Sequence, residues 1–113
     1  MSDELLGDWL DRELAGVPQE LAVHIRGSLP TNWRDVPRGD GATVMTDAAA
    51  RELSSLLERG CETRWAAPAL LTVDALVTYA CELAALSGEN VESAALTIAD
   101  TVALVFATRD AAQ

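Results

Sequence analysis

The chain contains no lysine, and its eight basic residues, all arginine, face eighteen aspartates and glutamates for a formal charge of −10. So large a negative excess is repelled by nucleic-acid backbones and by anionic membrane surfaces, and direct binding to either is not expected. The missing lysine matches a GC-rich coding bias and carries no mechanism. Histidine occurs once, and the two cysteines, Cys61 and Cys81, form no C-x-x-C pair. A structural zinc site needs about four Cys or His ligands and is excluded. His24 has no acid three residues before it, so the Glu-x-x-His pairs of a di-iron bundle are missing too. Its neighbour one turn earlier is Glu20, and a surface pair is the simpler assignment. There is no G-x-S-x-G, no P-loop and no glycine-rich dinucleotide fingerprint. No cofactor is called for, and a non-enzymatic protein is the expectation.

Aromatic residues make up only 4% of the chain while alanine is abundant, a composition of close-packed helices rather than sheets. The longest apolar stretch, Ala94 to Ala107, is broken by Asp100 and several threonines, and falls short of the ~18–20 residues that span a bilayer. The start, Met1-Ser2-Asp3-Glu4-Leu5-Leu6, lacks the basic residues and apolar run of a signal peptide, so a cytoplasmic location is expected. There the two thiols should be free.

At 113 residues the chain can bury one core without a staple, and residues 1–113 are expected to form a single helical domain. Ser2 is a candidate N-cap for a first helix carrying Leu5, Leu6, Trp9, Leu10 and Leu14 and stopping near Gly16. Pro18 suits the first turn of a second helix with Leu21, Ala22, Ile25 and Leu29, ended by Pro30. Residues 30–45 read as a long irregular loop, and loops of that kind are more often functional than the helices they join. Thr46 or Asp47 is placed as the cap of a third helix bearing Leu53, Leu56 and Leu57, with Gly60 as its stop. After a connector from Cys61 to Ala67, Pro68 opens a fourth helix running to Ser87-Gly88. Asn90 caps a fifth, which extends to about Arg109.

These last two helices are apolar on more than one face, as helices central to a bundle or covered by a partner are. The expected fold is therefore all-α: a compact bundle of about five helices with a C-terminal antiparallel hairpin as its core. Homodimerisation through helices four and five is the alternative, because three short helices leave much of that surface to be covered.

Charge is unevenly placed. Six acids against Arg12 occupy residues 1–20, and six acids against Arg109 occupy residues 67–113, whereas Arg26, Arg34, Arg38, Arg51, Arg59 and Arg64 lie between them. A site for an anionic group is expected in that middle segment. On the fourth helix, Asp74, Thr78 and Glu82 form a polar stripe that Asp100 can face, either a metal or acid–base site or a solvated stripe. Cys81 or Cys61 with His24 is a formal nucleophilic pair, although Cys81 on an apolar helix suits a buried inert thiol. The segment Asp74-Ala75-Leu76-Val77-Thr78-Tyr79-Ala80-Cys81-Glu82 resembles one helix of the trans-isoprenyl diphosphate synthases. It covers about a tenth of the chain, the aspartate-rich metal motifs of those enzymes are missing, and no function is carried over.

Arg38-Gly39-Asp40 matches an integrin-binding tripeptide, but its turn chemistry is the more informative content. Trp9 and Trp65 fit helical core positions. Trp33, flanked by Asn32 and Arg34 in the loop, either lids the bundle or stands exposed as an interface hot spot. The candidate partner-binding residues are Trp33, Arg34, Arg38 and Asp40. The expected function is that of a non-catalytic acidic protein-binding module, such as an inhibitor, immunity-type protein or adaptor, acting on a protein partner of basic character. The alternatives are a dimeric structural or regulatory subunit, and a small metal-dependent enzyme using Asp74, Glu82 and Asp100.

Overall fold

Leu6, Trp9, Leu10 and Leu14 recur at helical spacing, and all four are buried. They belong to the first of five helices: α1 Leu6–Glu13, α2 Gln19–Gly27, α3 Gly41–Arg59, α4 Ala66–Leu86 and α5 Val91–Ala111. The structure, a computed structural model, describes residues 4–60, 64–88 and 90–111, among which there is no strand. The expected cap Ser2 and part of the Cys61–Ala67 connector fall outside these residues. The all-α bundle is as anticipated.

Several local signals act as the sequence suggests. Pro18 immediately precedes α2, Gly60 ends α3 with a φ of 88°, and Pro68 sits in the first turn of α4. The Asn90 side-chain oxygen accepts hydrogen bonds from the backbone N–H groups of Glu92 (2.9 Å) and Ser93 (3.3 Å), capping α5.

The segment 30–45 departs from the long loop expected there. It contains two short 3-10 turns, Trp33–Asp35 and Arg38–Asp40, and α3 begins at Gly41. Thr46 and Asp47 are thus interior to α3 instead of capping it, and the buried Thr46 hydroxyl donates to the Ala42 carbonyl at 2.8 Å. Packing overrides the cap preference. Gly41 is buried where a Cβ would stand 2.9 Å from Leu6 Cδ1 and 3.0 Å from Leu83 Cδ1, so the extra turn of α3 is held between α1 and α4. Thr72 on α4 is likewise buried and satisfied, donating to the Pro68 carbonyl at 2.9 Å. A buried hydroxyl bonded to the carbonyl one turn earlier carries no desolvation penalty.

The centre of the bundle is the α3–α4 pair. Gly41, Met45, Ala48, Ala49, Leu53 and Leu56 are buried on α3, and Ala69, Leu76, Tyr79, Ala80, Leu83 and Ala84 on α4. The small residues in both sets let the two axes approach closely. Around this pair α1 places the Trp9 ring edge-on to Tyr79, 5.7 Å between centroids, and α2 adds Ala22 and Ile25. A smaller cluster of Leu53, Leu56, Ala66 and Ala69 closes the other end, with Val102 and Val105 of α5 half-buried against it. Of the hydrophobic side chains described on α5, only Ala94 and Ile98 are fully buried. The α4–α5 pair is therefore not the heart of the core, because α3, longer than expected, takes the central place beside α4. By length and composition α4 would also suffice to cross a bilayer, although here it is the helix on which the others pack.

Candidate functional site

The loop of Trp33 folds onto α1. Two backbone hydrogen bonds, Leu6 N–H to the Val36 carbonyl and Arg38 N–H to the Glu4 carbonyl, each 2.8 Å, form a single antiparallel bridge at Leu5 and Pro37. Gly7 makes the approach feasible, since a Cβ there would lie 3.0 Å from the Cα, Cβ and carbonyl oxygen of Arg34. Trp33 is 7% exposed and part of the core, which of its two alternatives favours the lid over the exposed hot spot. Arg34 covers its ring at 4.6 Å, a cation–π contact on the outer side of the lid.

Five of the six arginines of the middle segment are engaged within the fold, and Arg64 stands exposed. Asp11 takes Arg34 at 3.0 Å and Arg26 at 3.2 Å, while Glu4 takes Arg12 and, at 4.0 Å, Arg38. The hydrogen bond from Arg34 is the largest influence on Asp11, outweighs a partial desolvation and is reinforced by Arg26, so the carboxyl is held below its ordinary value of 3.8. Arg51 donates to the Ser28 carbonyl at 3.4 Å, and Arg59 lies 4.5 Å over the Trp65 ring. The anion site expected among these residues is thus replaced by internal pairing. Of the four candidate partner-binding residues, Trp33 is buried, Arg34 and Arg38 hold the loop to α1, and Asp40 stands exposed just ahead of α3.

The carboxylate stripe does not converge. Asp74, Glu82 and Asp100 are exposed, and no group of three or more His, Cys, Asp or Glu side chains among the described residues could hold a metal ion. Glu82 does sit in an unfavourable place, where desolvation first and the Glu13 charge second raise its carboxyl above the ordinary 4.5. Tyr79 is raised above 10.0 by burial, then by Glu13 and Glu82. Cys81 is a half-buried free thiol in a groove between α4 and α5, whereas His24 is exposed beside Gln19, Glu20 and Val23 on α2. The two do not meet as a nucleophile and base. Cys61 lies outside the described residues.

What the residue pattern did not locate is the surface that α5 leaves open. A cleft of mixed character, about 360 Å³, runs along one flank, with Thr43, Thr46 and Asp47 of α3 and Ser93, Thr97 and Thr101 of α5 beside Ala80, Ala84 and Ile98. The other flank is an apolar groove of about 440 Å³, formed by Val77 and Cys81 of α4 with Ala95, Ala99, Val102 and Ala103 of α5. Leu96, Leu104 and Phe106 are exposed along α5 by 60%, 65% and 45%, and Leu70, Leu71 and Leu86 are exposed on α4. The many apolar residues beside the narrow polar stripe of α4, and those on every side of α5, signalled an excess of apolar surface. Its location depended on how α5 rests on its neighbours. Comparison of the chain with known protein families, with curated proteins and with solved structures gives no match.

Proposed function

We propose that the chain is a non-catalytic protein-binding module whose docking surface is the outer side of α5 with the adjoining flank of α4. One observation carries this: α5 leaves Leu96, Leu104 and Phe106 largely in water. Burying one such side chain fully is worth ~1.5–3 kcal/mol, so a covering partner gains a substantial driving force. Contiguous exposed apolar surface is a mark of interaction sites. The candidate site thereby moves from the Trp33 loop, which is spent on the core, to the C-terminal helices.

The test is capture from the native host by wild-type chain and by the triple variant Leu96→Asp, Leu104→Asp, Phe106→Asp, followed by mass spectrometry. The variant should melt within a few degrees of wild type, because the three sites are exposed, and should lose the captured protein. An unchanged capture by a folded variant rejects the surface. A second reading, a dimeric subunit, draws on the exposed Leu70, Leu71 and Leu86 of α4 beside those of α5. It predicts a dimer mass in light scattering that reverts to monomer in the triple variant.

A further inference from the structure

The charged residues nearest the apolar groove between α4 and α5 are of one sign. Asp74 lies one turn before Val77 on α4 and Glu92 one turn before Ala95 on α5, whereas Glu82 and Asp100 are each a helical step of about 100° from Cys81 and Ala99. None of these four acids takes part in an ion pair among the described residues. At the other end Glu4 and Asp11 each hold two arginines, while Asp8, Glu13 and Glu20 are in no ion pair among the described residues. Neither α4 nor α5 carries a base in its sequence except Arg109, in the last turn of α5. Arg26, Arg34 and Arg38 are held at Asp11 and Glu4, and no arginine pairs with an acid of α4 or α5 among the described residues.

We propose that this groove receives a basic amphipathic helix of a partner protein, with apolar side chains seated on Val77, Cys81, Ala99 and Ala103 and with lysines or arginines reaching Asp74 and Glu92. The inference rests on the docking surface above and names its occupant. A cleft between two helices, floored by small side chains, admits the ridge of a third. The unpaired rim then supplies the complement to bases flanking that ridge, whereas a second copy of this chain would bring like charges together.

The probes are a synthetic amphipathic helix of leucine and lysine, and the same helix with glutamate in place of lysine. Binding is followed by fluorescence titration and by the rate at which Cys81 is alkylated in a Cys61→Ser background. The Leu/Lys helix should bind and slow Cys81 alkylation by about tenfold or more, and the Leu/Glu helix should do neither. Ala99→Glu, or Ala103→Glu if the first is misfolded by circular dichroism, should weaken binding by about tenfold, which corresponds to ~1.4 kcal/mol. Attraction by net charge alone predicts the reverse, since each variant adds a negative charge, and Val23→Glu on α2 serves as the matched control. Binding by both helices, unchanged alkylation of Cys81, or equal effects of Ala99→Glu and Val23→Glu overturn the inference, as does a dimer mass abolished by Ala99→Glu. If the Leu/Lys helix fails while the α5 triple variant still loses its captured protein, the basic helix is rejected and the docking surface stands. Capture indifferent to the triple variant rejects the surface itself.

Discussion

Trp33 shows how a single side chain changes meaning with its surroundings. Its indole is buried against the core and capped by the Arg34 guanidinium, so it holds the segment between α2 and α3 in place. Truncating a buried aromatic side chain costs ~3–5 kcal/mol. Trp33→Ala is therefore expected to lower the midpoint of thermal unfolding substantially, with Trp33→Phe intermediate, both read by circular dichroism. A Trp33→Ala protein that melts with the wild type would mean that the indole is not part of the core. Gly7 has a related role, because only a residue without a side chain lets α1 lie against the backbone of Arg34. No periodicity in the sequence distinguishes that glycine from Gly16 or Gly27, which have open space around them.

Among the elements, α3 and α5 are the instructive pair. The stop of α3 at Gly60 and the cap of α5 at Asn90 were legible because each depends on residues within a turn of the helix end. The start of α3 was not. Thr46 and Asp47 look like caps, yet Gly41 and Met45 gain burial against α1 and α4 that outweighs that local preference. In α5 the apolar character was plain, but which face would be covered was not, since the helix has apolar residues on every side and therefore no directional signal. With only Ala94 and Ile98 fully buried among its described hydrophobic side chains, α5 should open locally before the α3–α4 pair. Asn90→Ala removes its cap at a cost of ~1 kcal/mol. In hydrogen exchange this substitution should accelerate α5 amides while leaving those of central α3 and α4 nearly unchanged. Uniform acceleration across all helices would show that α5 is an integral part of the global fold.

At the scale of the whole molecule, the paired Asp11 and the Glu82 carboxyl beside Glu13 respond to pH with opposite sign. Asp11 has its carboxyl lowered by Arg34 and Arg26, so its stabilising effect is present above the unfolded value of 3.8 and is lost as the pH falls through the lower, folded value. Glu82 has the opposite sign. Its raised carboxyl costs stability at neutral pH, and that cost is relieved as the pH falls toward 4.5. Asp11→Asn should destabilise the protein at neutral pH by ~0.2–1 kcal/mol, the range of exposed ion pairs. The difference from wild type should shrink below pH 3.8. Glu82→Gln should stabilise slightly at neutral pH, with the gain disappearing on acidification toward pH 4.5. Urea unfolding across the acid range measures both, and a pH-independent effect of Asp11→Asn would assign Asp11 a packing role instead.

The sequence by itself determined the helical class, the ends of several helices, the acidity and the absence of recognised catalytic motifs. Each follows from composition or from residues a turn apart, where propensity and capping operate. Tertiary structure alone decided where Trp33 goes, which arginines satisfy which acids, where α3 begins and which surface of α5 is left to water. Asp11 and Arg34 are separated by 23 residues, and no local pattern specifies such a pair. Burial and charge pairing at that distance depend on how the helices meet in space, and here their meeting holds Arg26, Arg34 and Arg38 at Asp11 and Glu4 and leaves an open apolar groove between α4 and α5.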